Sequence, residues 1–176
     1  MSVMAAMSLR ILKAVGVLLL GGAIGGFLFS KTIARSFLAV GECGSTCYRP
    51  SDLVGLVASV SIQRMPGIIP GVIVENDKCI VINHPKPEAR IHFVLFPKRD
   101  AKNIGVMTAE DQSFVMGCFA LVGKLAAESR VQNYRLVTNG PALQHLTYMH
   151  FHFLAQKPVM SSRRRVSSDS RSACCR

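Results

Sequence analysis

The chain has 176 residues, of which 49% are hydrophobic, so it can form one domain with a buried core and short appendages. Its formal charge is +11, but a net +4 lies in residues 1–41 and another +4 in residues 161–176. Subtracting these eight charges leaves +3 for the middle of the chain, so a basic surface for DNA or RNA is not expected.

The first predicted element is an apolar helix at residues 11–29. These nineteen residues include a single charged side chain, Lys13, and have the length that crosses a hydrocarbon core. A cleaved signal peptide is the alternative, although the run is long for one and no clear A-x-A site follows. No acidic residue precedes Glu42, as a mitochondrial presequence requires. We therefore expect residues 1–41 to be a targeting segment and membrane anchor, with the mitochondrial inner membrane as the location; basic residues at both ends leave its orientation open.

Four of the five glycines in this apolar helix lie close together. Gly21 with Gly25, and Gly22 with Gly26, form two overlapping small-xxx-small pairs. Such pairs let a second helix approach closely, so partner transmembrane helices are one interpretation and ordinary close packing is the more frequent one.

The six cysteines fall into three pairs, Cys43 with Cys47, Cys79 with Cys118, and Cys174 with Cys175. The first pair lies in a predicted linker, residues 42–50, where a disulfide and solvated thiols are both open interpretations. The second pair has apolar neighbours and is predicted to be buried in the core. The third pair belongs to residues 161–176, a Ser- and Arg-rich tail that is predicted to be disordered.

The folded domain is predicted at residues 51–160. Its elements are a short helix at 51–65, two strands within 71–85 joined by a turn at 75–78, a strand at 90–98, a long helix at 108–131, and strands at 133–140 and 148–156. Five strands paired mostly with near neighbours, together with one long and one short helix, predict an α+β fold with an antiparallel sheet.

The last predicted strand, YMHFHFLAQ, has alternating polar and apolar side chains. Because successive side chains of a strand point to opposite faces, Tyr148, His150 and His152 are expected on one face. Met149 and Phe151 are expected on the other face with Phe153. This pattern predicts a sheet that packs on helices behind and presents histidines in front.

The order of the motifs resembles the histidine-triad (HIT) nucleotide-binding proteins. The resemblance spans about residues 61–158 and consists of IPGVIVENDKCIVI, IHFVLFPK, the long helix, YRLVTNG and MHFHFLA. It implies a five-stranded antiparallel sheet with helices behind it, often completed by a homodimer. It also implies that a nucleotide phosphate lies over a His-φ-His-φ-His-φ-φ strand.

The resemblance also implies roles for individual residues. His150 matches the middle histidine of the triad, the nucleophile that attacks the α-phosphorus of a purine nucleotide such as an adenosine phosphoramidate, and His152 matches a phosphate ligand. His92 matches a histidine upstream in the family, and Asn139 and Gln144 match polar residues near the phosphate. A neutral imidazole can perform this attack when its far nitrogen is held by a carbonyl oxygen.

Three positions depart from the family pattern. Tyr148 stands where the first triad histidine is found, and His84 stands where members often have an acid for the ribose hydroxyls. His145 replaces a small hydroxyl residue. If Tyr148 alone weakens the site, Tyr148→His is expected to raise hydrolysis of an AMP phosphoramidate.

A metal site is the alternative use of these histidines. The His-x-His pair on a strand presents two imidazoles, and a third ligand could come only from His92, His84 or His145. We expect no metal and no cofactor.

Two functions agree with the sequence. The first is a membrane-anchored nucleotide phosphoramidase or hydrolase that acts through His150. The alternative is a catalytically degenerate HIT domain that serves as an accessory subunit of a mitochondrial inner-membrane complex.

Overall fold

The computed structural model describes residues 2–36, 38–39 and 47–156. The helices are α1 (Ser2–Phe29), α2 (Pro50–Arg64) and α3 (Gln112–Glu128). The strands are β1 (Leu38–Ala39), β2 (Cys47–Tyr48), β3 (Val72–Glu75), β4 (Cys79–Asn83), β5 (Ile91–Pro97), β6 (Tyr134–Val137) and β7 (Phe151–Ala155). The predicted tail at 161–176, Cys43, Cys174 and Cys175 lie outside the described residues.

Five strands form one antiparallel sheet in the order β3-β4-β5-β7-β6. The five strands correspond to the five that were predicted, and their antiparallel pairing confirms the predicted α+β fold. The two-residue strands β1 and β2 form a separate antiparallel pair. β1 precedes the predicted linker, residues 42–50, whereas β2 lies within it.

The side chains of the sheet divide between two faces. The face toward α3 holds the larger core, which includes Val81, Leu95, Met149, Phe151 and Phe153. The opposite face holds a second buried cluster of Ile62, Ile80, Val94, Phe96 and Tyr148. The predicted alternation in the last strand therefore places its aromatic residues against α3 and its polar residues on the other side.

Helix α2 covers part of the face that was predicted to be open. Ile62 of α2 packs into the second cluster. Gly55 of α2 lies so close to the loop before β7 that a Cβ atom there would be 2.4 Å from Thr147 Oγ1. This close approach requires glycine at position 55.

Helix α3 starts from a capping box. The backbone N–H and hydroxyl of Thr108 donate to the Asp111 carboxylate, at 2.7 and 3.0 Å, and one 3₁₀ turn, Ala109–Asp111, leads into the helix. The buried stripe consists of Val115, Cys118, Leu121, Val122 and Leu125. Phe114, four residues before Cys118, is only half-buried, whereas Val115 is buried.

A disulfide joins the sheet to α3. Cys79, the first residue of β4, is bonded to Cys118 in α3, and both residues are fully buried. The prediction that both lie in the core agrees with this burial, but the bond between them was not predicted. Disulfides persist in oxidising compartments, so the bond bears on the location of the domain.

Helix α1 has no buried residue between Leu9 and Phe29. Residues Leu9–Phe29 have a mean hydropathy of 2.0 and are 0% buried, so by length and composition this helix could cross a membrane. A signal sequence near an N-terminus has the same properties.

The segment after α1 is built into the domain through Arg35. The side chains of Arg35 and Asp100 are both 0% exposed and form a bidentate ion pair. Arg35 also donates to the Thr147 carbonyl, and Asp100 accepts from Ser59 Oγ and from the backbone N–H of Ile33. Arg35 lies in residues 1–41, which the sequence assigned to the anchor, yet it is part of the core of the domain.

Candidate active site

Four histidines meet at the open end of the second face. His92 lies in β5, and His152 lies in β7, where it pairs with Val94 of β5. His84 follows β4, and His150 precedes β7. The His92 ring lies 4.0 Å from that of His84 and 5.2 Å from that of His152, and the rings of His150 and His152 are 4.9 Å apart. The structure therefore brings together four of the five histidines that the sequence singled out.

The loop that carries His150 is fixed from several sides. The strand β7 begins at Phe151, so Tyr148 to His150 are not in the ladder as predicted. The backbone N–H of Thr147 donates to the Ser51 carbonyl, and that of Met149 donates to the Ala101 carbonyl. Because Arg35 also binds the Thr147 carbonyl, the approach to the site depends on the N-terminal segment and on α2.

Tyr148 is a structural residue rather than a ligand contact. Its side chain is 0% exposed, and its hydroxyl donates to the Pro97 carbonyl at 2.6 Å. Burial raises the pKa of this phenol, which stays protonated. The sequence placed Tyr148 at the first triad position, on the face of His150 and His152, and so among the candidate nucleotide-binding residues. This expectation is corrected: its phenol fills the core below the histidines.

The protonation of His150 follows from its backbone contact. Nδ1 of His150 lies 2.7 Å from the Tyr148 carbonyl oxygen. A carbonyl oxygen can only accept, so Nδ1 carries the proton and Nε2 keeps its lone pair. Burial lowers the pKa of His150, against the opposing effect of this hydrogen bond. His150 is therefore neutral at pH 7, with a nucleophilic nitrogen at Nε2.

A chain of hydrogen bonds fixes the protons of His92 and His152. The backbone N–H of Glu88 donates to Nδ1 of His92 at 3.1 Å, so the proton of His92 is on Nε2. That Nε2 is 3.0 Å from Nδ1 of His152, which must accept. The proton of His152 is then on Nε2, a buried donor that has no hydrogen-bond partner among the described residues.

The lowered pKa values of these histidines favour neutral imidazole rings when no anion is bound. Burial, with the repulsion of His150, His92 and His84, lowers the pKa of His152 to about 4. Burial and the neighbouring His84 lower the pKa of His92. A bound phosphate would supply the negative charge that this group of imidazoles lacks.

Three of the histidines have the spacing of possible metal ligands. His84, His92 and His152 each offer one ring nitrogen, and these nitrogens lie within 4.8 Å of one another. However, the backbone N–H groups of Lys86 and Glu88 donate to Nδ1 of His84 and His92 and so leave protons on both Nε2 atoms. A metal needs unprotonated nitrogens, so these donor bonds suit an anion better than a cation.

The two predicted polar ligands lie in the loop between β6 and β7. The side-chain amide of Gln144 donates to the Lys102 carbonyl at 3.1 Å, which ties it to a neighbouring loop. Asn139 is half-buried and makes no hydrogen bond within the described part of the chain. His145 is exposed, and its charge contributes to the lowered pKa of His150.

An apolar groove adjoins the histidines. Its volume is about 250 Å³, and the side chains that line it are mostly aliphatic, including Ala58, Ile62, Ile68, Ile69, Ile82 and Phe96. The Phe96 ring lies 5.6 Å from the His150 ring. The sequence did not predict this groove, because its walls come from α2, from the loop after α2 and from two strands.

Comparison with known proteins identifies the family. A family model described as scavenger mRNA decapping enzyme C-term binding matches residues 67–167. An uncharacterised HIT-like protein of Synechococcus elongatus is 33% identical over 91 residues, which cover 50% of this chain and 80% of that protein. The chain belongs to the HIT superfamily. A second HIT-like protein, from Synechocystis, is 30% identical over 94 residues, covering 51% of this chain and 82% of the relative.

Solved structures of HIT proteins are also similar to this chain. A HIT family hydrolase from Legionella pneumophila matches with a TM-score of 0.49 and 24% identity, over 53% of this chain and 88% of the other. A histidine triad protein from Clostridium difficile matches with a TM-score of 0.48 and 20% identity, over 61% and 92%. The resemblance seen in the sequence is confirmed by the family match, and the chain is a HIT-domain protein.

Proposed function

We propose that the protein is a membrane-anchored nucleotide phosphoramidase or nucleotide hydrolase with His150 as its nucleophile. The observation that carries this proposal is the hydrogen bond between Nδ1 of His150 and the Tyr148 carbonyl. It leaves Nε2 unprotonated beside the Nε2–H donor of His152. A nucleophile and an oxyanion donor thus stand on adjacent rings.

The chemistry proceeds in two displacements. Nε2 of His150 attacks the α-phosphorus, a nitrogen–phosphorus bond forms, and the bond to the amine or phosphate leaving group breaks. The leaving group departs with the electron pair and takes a proton from solvent. Water then attacks the same phosphorus, an oxygen–phosphorus bond forms, and the bond from phosphorus to Nε2 of His150 breaks with its electron pair returning to Nε2. The attacking water gives up a proton to solvent, the nucleoside monophosphate leaves, and His150 is again neutral. His152 donates its Nε2–H to a phosphoryl oxygen in both steps, and no metal is required.

A purine nucleotide, AMP or a close relative, fits the surroundings of the histidines. The apolar groove beside His150 offers Phe96 and Ile82 to a flat base, while the imidazoles face the phosphate. His84 stacks on His92 and is a second donor on the phosphate side, in place of an acid that would repel an anion.

The test uses two histidine variants of the full-length protein in detergent. Incubation with adenosine 5′-phosphoramidate should produce AMP, and mass spectrometry of the quenched protein should find an adenylyl group on His150. His150→Ala should abolish the adduct and lower turnover by at least about 10³-fold, because the nucleophile is lost.

His152→Gln is the matched control, because it keeps the nucleophile and removes the adjacent imidazole. We expect it to form the adduct slowly and to release AMP at a lower rate. Normal turnover in His150→Ala would refute the assignment of the nucleophile. AMP binding without turnover in the wild type would favour a binding module.

The location proposed for the enzyme is a membrane, specifically the mitochondrial inner membrane. The apolar α1 and the absence of acidic residues before Glu42 support it. The disulfide between Cys79 and Cys118 supports a position of the domain on the oxidising side of that membrane. Protease protection in isolated organelles, with and without rupture of the outer membrane, tests both statements.

A second candidate is a catalytically degenerate HIT domain that serves as an accessory subunit of a membrane complex. The glycines of α1 favour it: a Cβ added at position 21, 22, 25 or 26 would meet nothing within 4 Å, so another helix or a homodimer partner has room to approach. Gly21→Leu with Gly25→Leu should then release the protein from a large species in native gels. Gly16→Leu, on another side of α1, is the control, and identical migration of all variants would exclude this candidate.

A further inference from the structure

An apolar segment lies at the point where α1 meets the domain. This junctional segment, residues 65–69, follows α2 and includes one 3₁₀ turn. Met65 is 39% exposed and Ile68 is 65% exposed. Ile68 also lines one wall of the apolar groove. Exposed aliphatic side chains that are grouped in one short loop are typical of a surface that meets another apolar phase.

Contacts between α1 and α2 fix where this segment lies. The Arg64 guanidinium is 4.3 Å from the centre of the Phe27 ring, and it donates to Ser30 Oγ at 2.5 Å. Phe27 belongs to the apolar part of α1, and Arg64 immediately precedes Met65. The junctional segment is therefore at the level where α1 leaves its apolar surroundings.

The domain cannot move far from that level. Only residues 30–32 and Ile33 separate the end of α1 from the first contact with Asp100, at the Ile33 backbone N–H. Four extended residues span at most about 14 Å. This reach is about twice the depth of the headgroup region of one leaflet, which is about 5–7 Å. The face that bears Arg64 therefore stays near the membrane surface.

We propose that the junctional segment, residues 65–69, inserts into the headgroup and upper acyl region of the bilayer that α1 crosses. This inference goes beyond the proposed catalytic function and depends only on the proposed membrane span. Met65 and Ile68 enter the apolar phase, while Arg64 and the exposed Lys31 meet anionic headgroups. The domain is then held against the membrane at two points, α1 and this segment.

The sequence allows a direct test because the protein contains no tryptophan. Ile68→Trp introduces one indole into the segment, and Met116→Trp is the matched control. Met116 is 61% exposed, close to the 65% of Ile68, but it lies on α3 across the sheet from α2. Both full-length variants are reconstituted into phosphatidylcholine vesicles that contain phosphatidylglycerol, with and without bromine on the upper acyl carbons.

We expect brominated lipid to quench the Ile68→Trp emission at least about two-fold, with an emission maximum shifted to shorter wavelength. Met116→Trp should show a water-exposed spectrum and no quenching. Equal, unquenched emission from both variants overturns the proposal, and so does failure of the protein to enter the vesicles. A blue shift that increases with protein density, without quenching by brominated lipid, indicates contact with a second copy. This result also overturns the proposal. The readout contains no substrate, so it is independent of the proposed catalysis.

Discussion

The ion pair between Arg35 and Asp100 leads to the most direct prediction about the boundary of the domain. Both side chains are 0% exposed, and Arg35 has four acceptor atoms within hydrogen-bond distance on Asp100 and Thr147. Arg35→Ala would leave the Asp100 carboxylate with Ser59 Oγ and the Ile33 N–H as its remaining donors. A buried charge would thus lose its counter-ion.

The expected magnitude follows from this burial. Removing one partner of a buried ion pair costs about 3–5 kcal/mol, because the other charge is left uncompensated in the core. A domain of this size has a free energy of unfolding of about 5–15 kcal/mol, so the variant should lose a large fraction of its stability. Starting the protein at residue 42 removes Arg35 as well and should destabilise the domain at least as much.

The assay is urea unfolding, monitored by circular dichroism, of a protein that consists of residues 30–160. Arg135→Ala is the control, because Arg135 is exposed in β6 and its loss should change the free energy of unfolding by about 0.5 kcal/mol or less. Asp100→Asn should recover part of the loss when combined with Arg35→Ala, since it removes the uncompensated charge. A loss below about 1 kcal/mol in Arg35→Ala, or no recovery in the double variant, would refute the reasoning.

The remaining predictions concern His152, Tyr148 and the disulfide. The pKa of His152 is lowered to about 4, so the unfolded chain binds more protons between pH 6.5 and about 4. The free energy of unfolding should be highest at pH 7 and decline as the pH falls through that window, and His152→Gln should make this decline shallower. Urea unfolding at several pH values tests this, and an equal decline in the wild type and the variant contradicts it. Tyr148→Phe leaves the buried Pro97 carbonyl without its donor and should cost about 1–3 kcal/mol, measured in urea. Tyr148→His should not raise phosphoramidate hydrolysis, and a gain would show that the side chain reaches the ligand. The disulfide between Cys79 and Cys118 has a sequence separation of 39 and should stabilise by about 4 kcal/mol. Dithiothreitol should therefore lower the urea midpoint of the wild type. An unchanged midpoint, after free thiols have been demonstrated at both cysteines, would contradict this.

Local patterns in the sequence were sufficient for the elements and for the family. The alternation in residues 148–156 predicted which side chains share a face. The long helix was predicted to start at residue 108, where the capping box lies. The four histidines could be grouped because the order of the strands resembled the HIT proteins, and the family match confirmed that resemblance. Each of these inferences rests on spacing within one element or on the order of elements.

The tertiary structure decided the interactions between residues that are far apart in the chain. Arg35 and Asp100 are 65 positions apart, and nothing in the neighbourhood of either residue identifies the other as its partner. Two apolar contexts predicted that Cys79 and Cys118 are buried, but only the packing of α3 on β4 brings the two sulfur atoms together. The protons of His150 and His152 depend on which backbone groups face them, and these groups come from the loop before β7 and from the loop before β5. The sequence therefore determines which side chains are available, and the fold determines which nitrogen can attack and which can donate, because that depends on partners brought close only by folding.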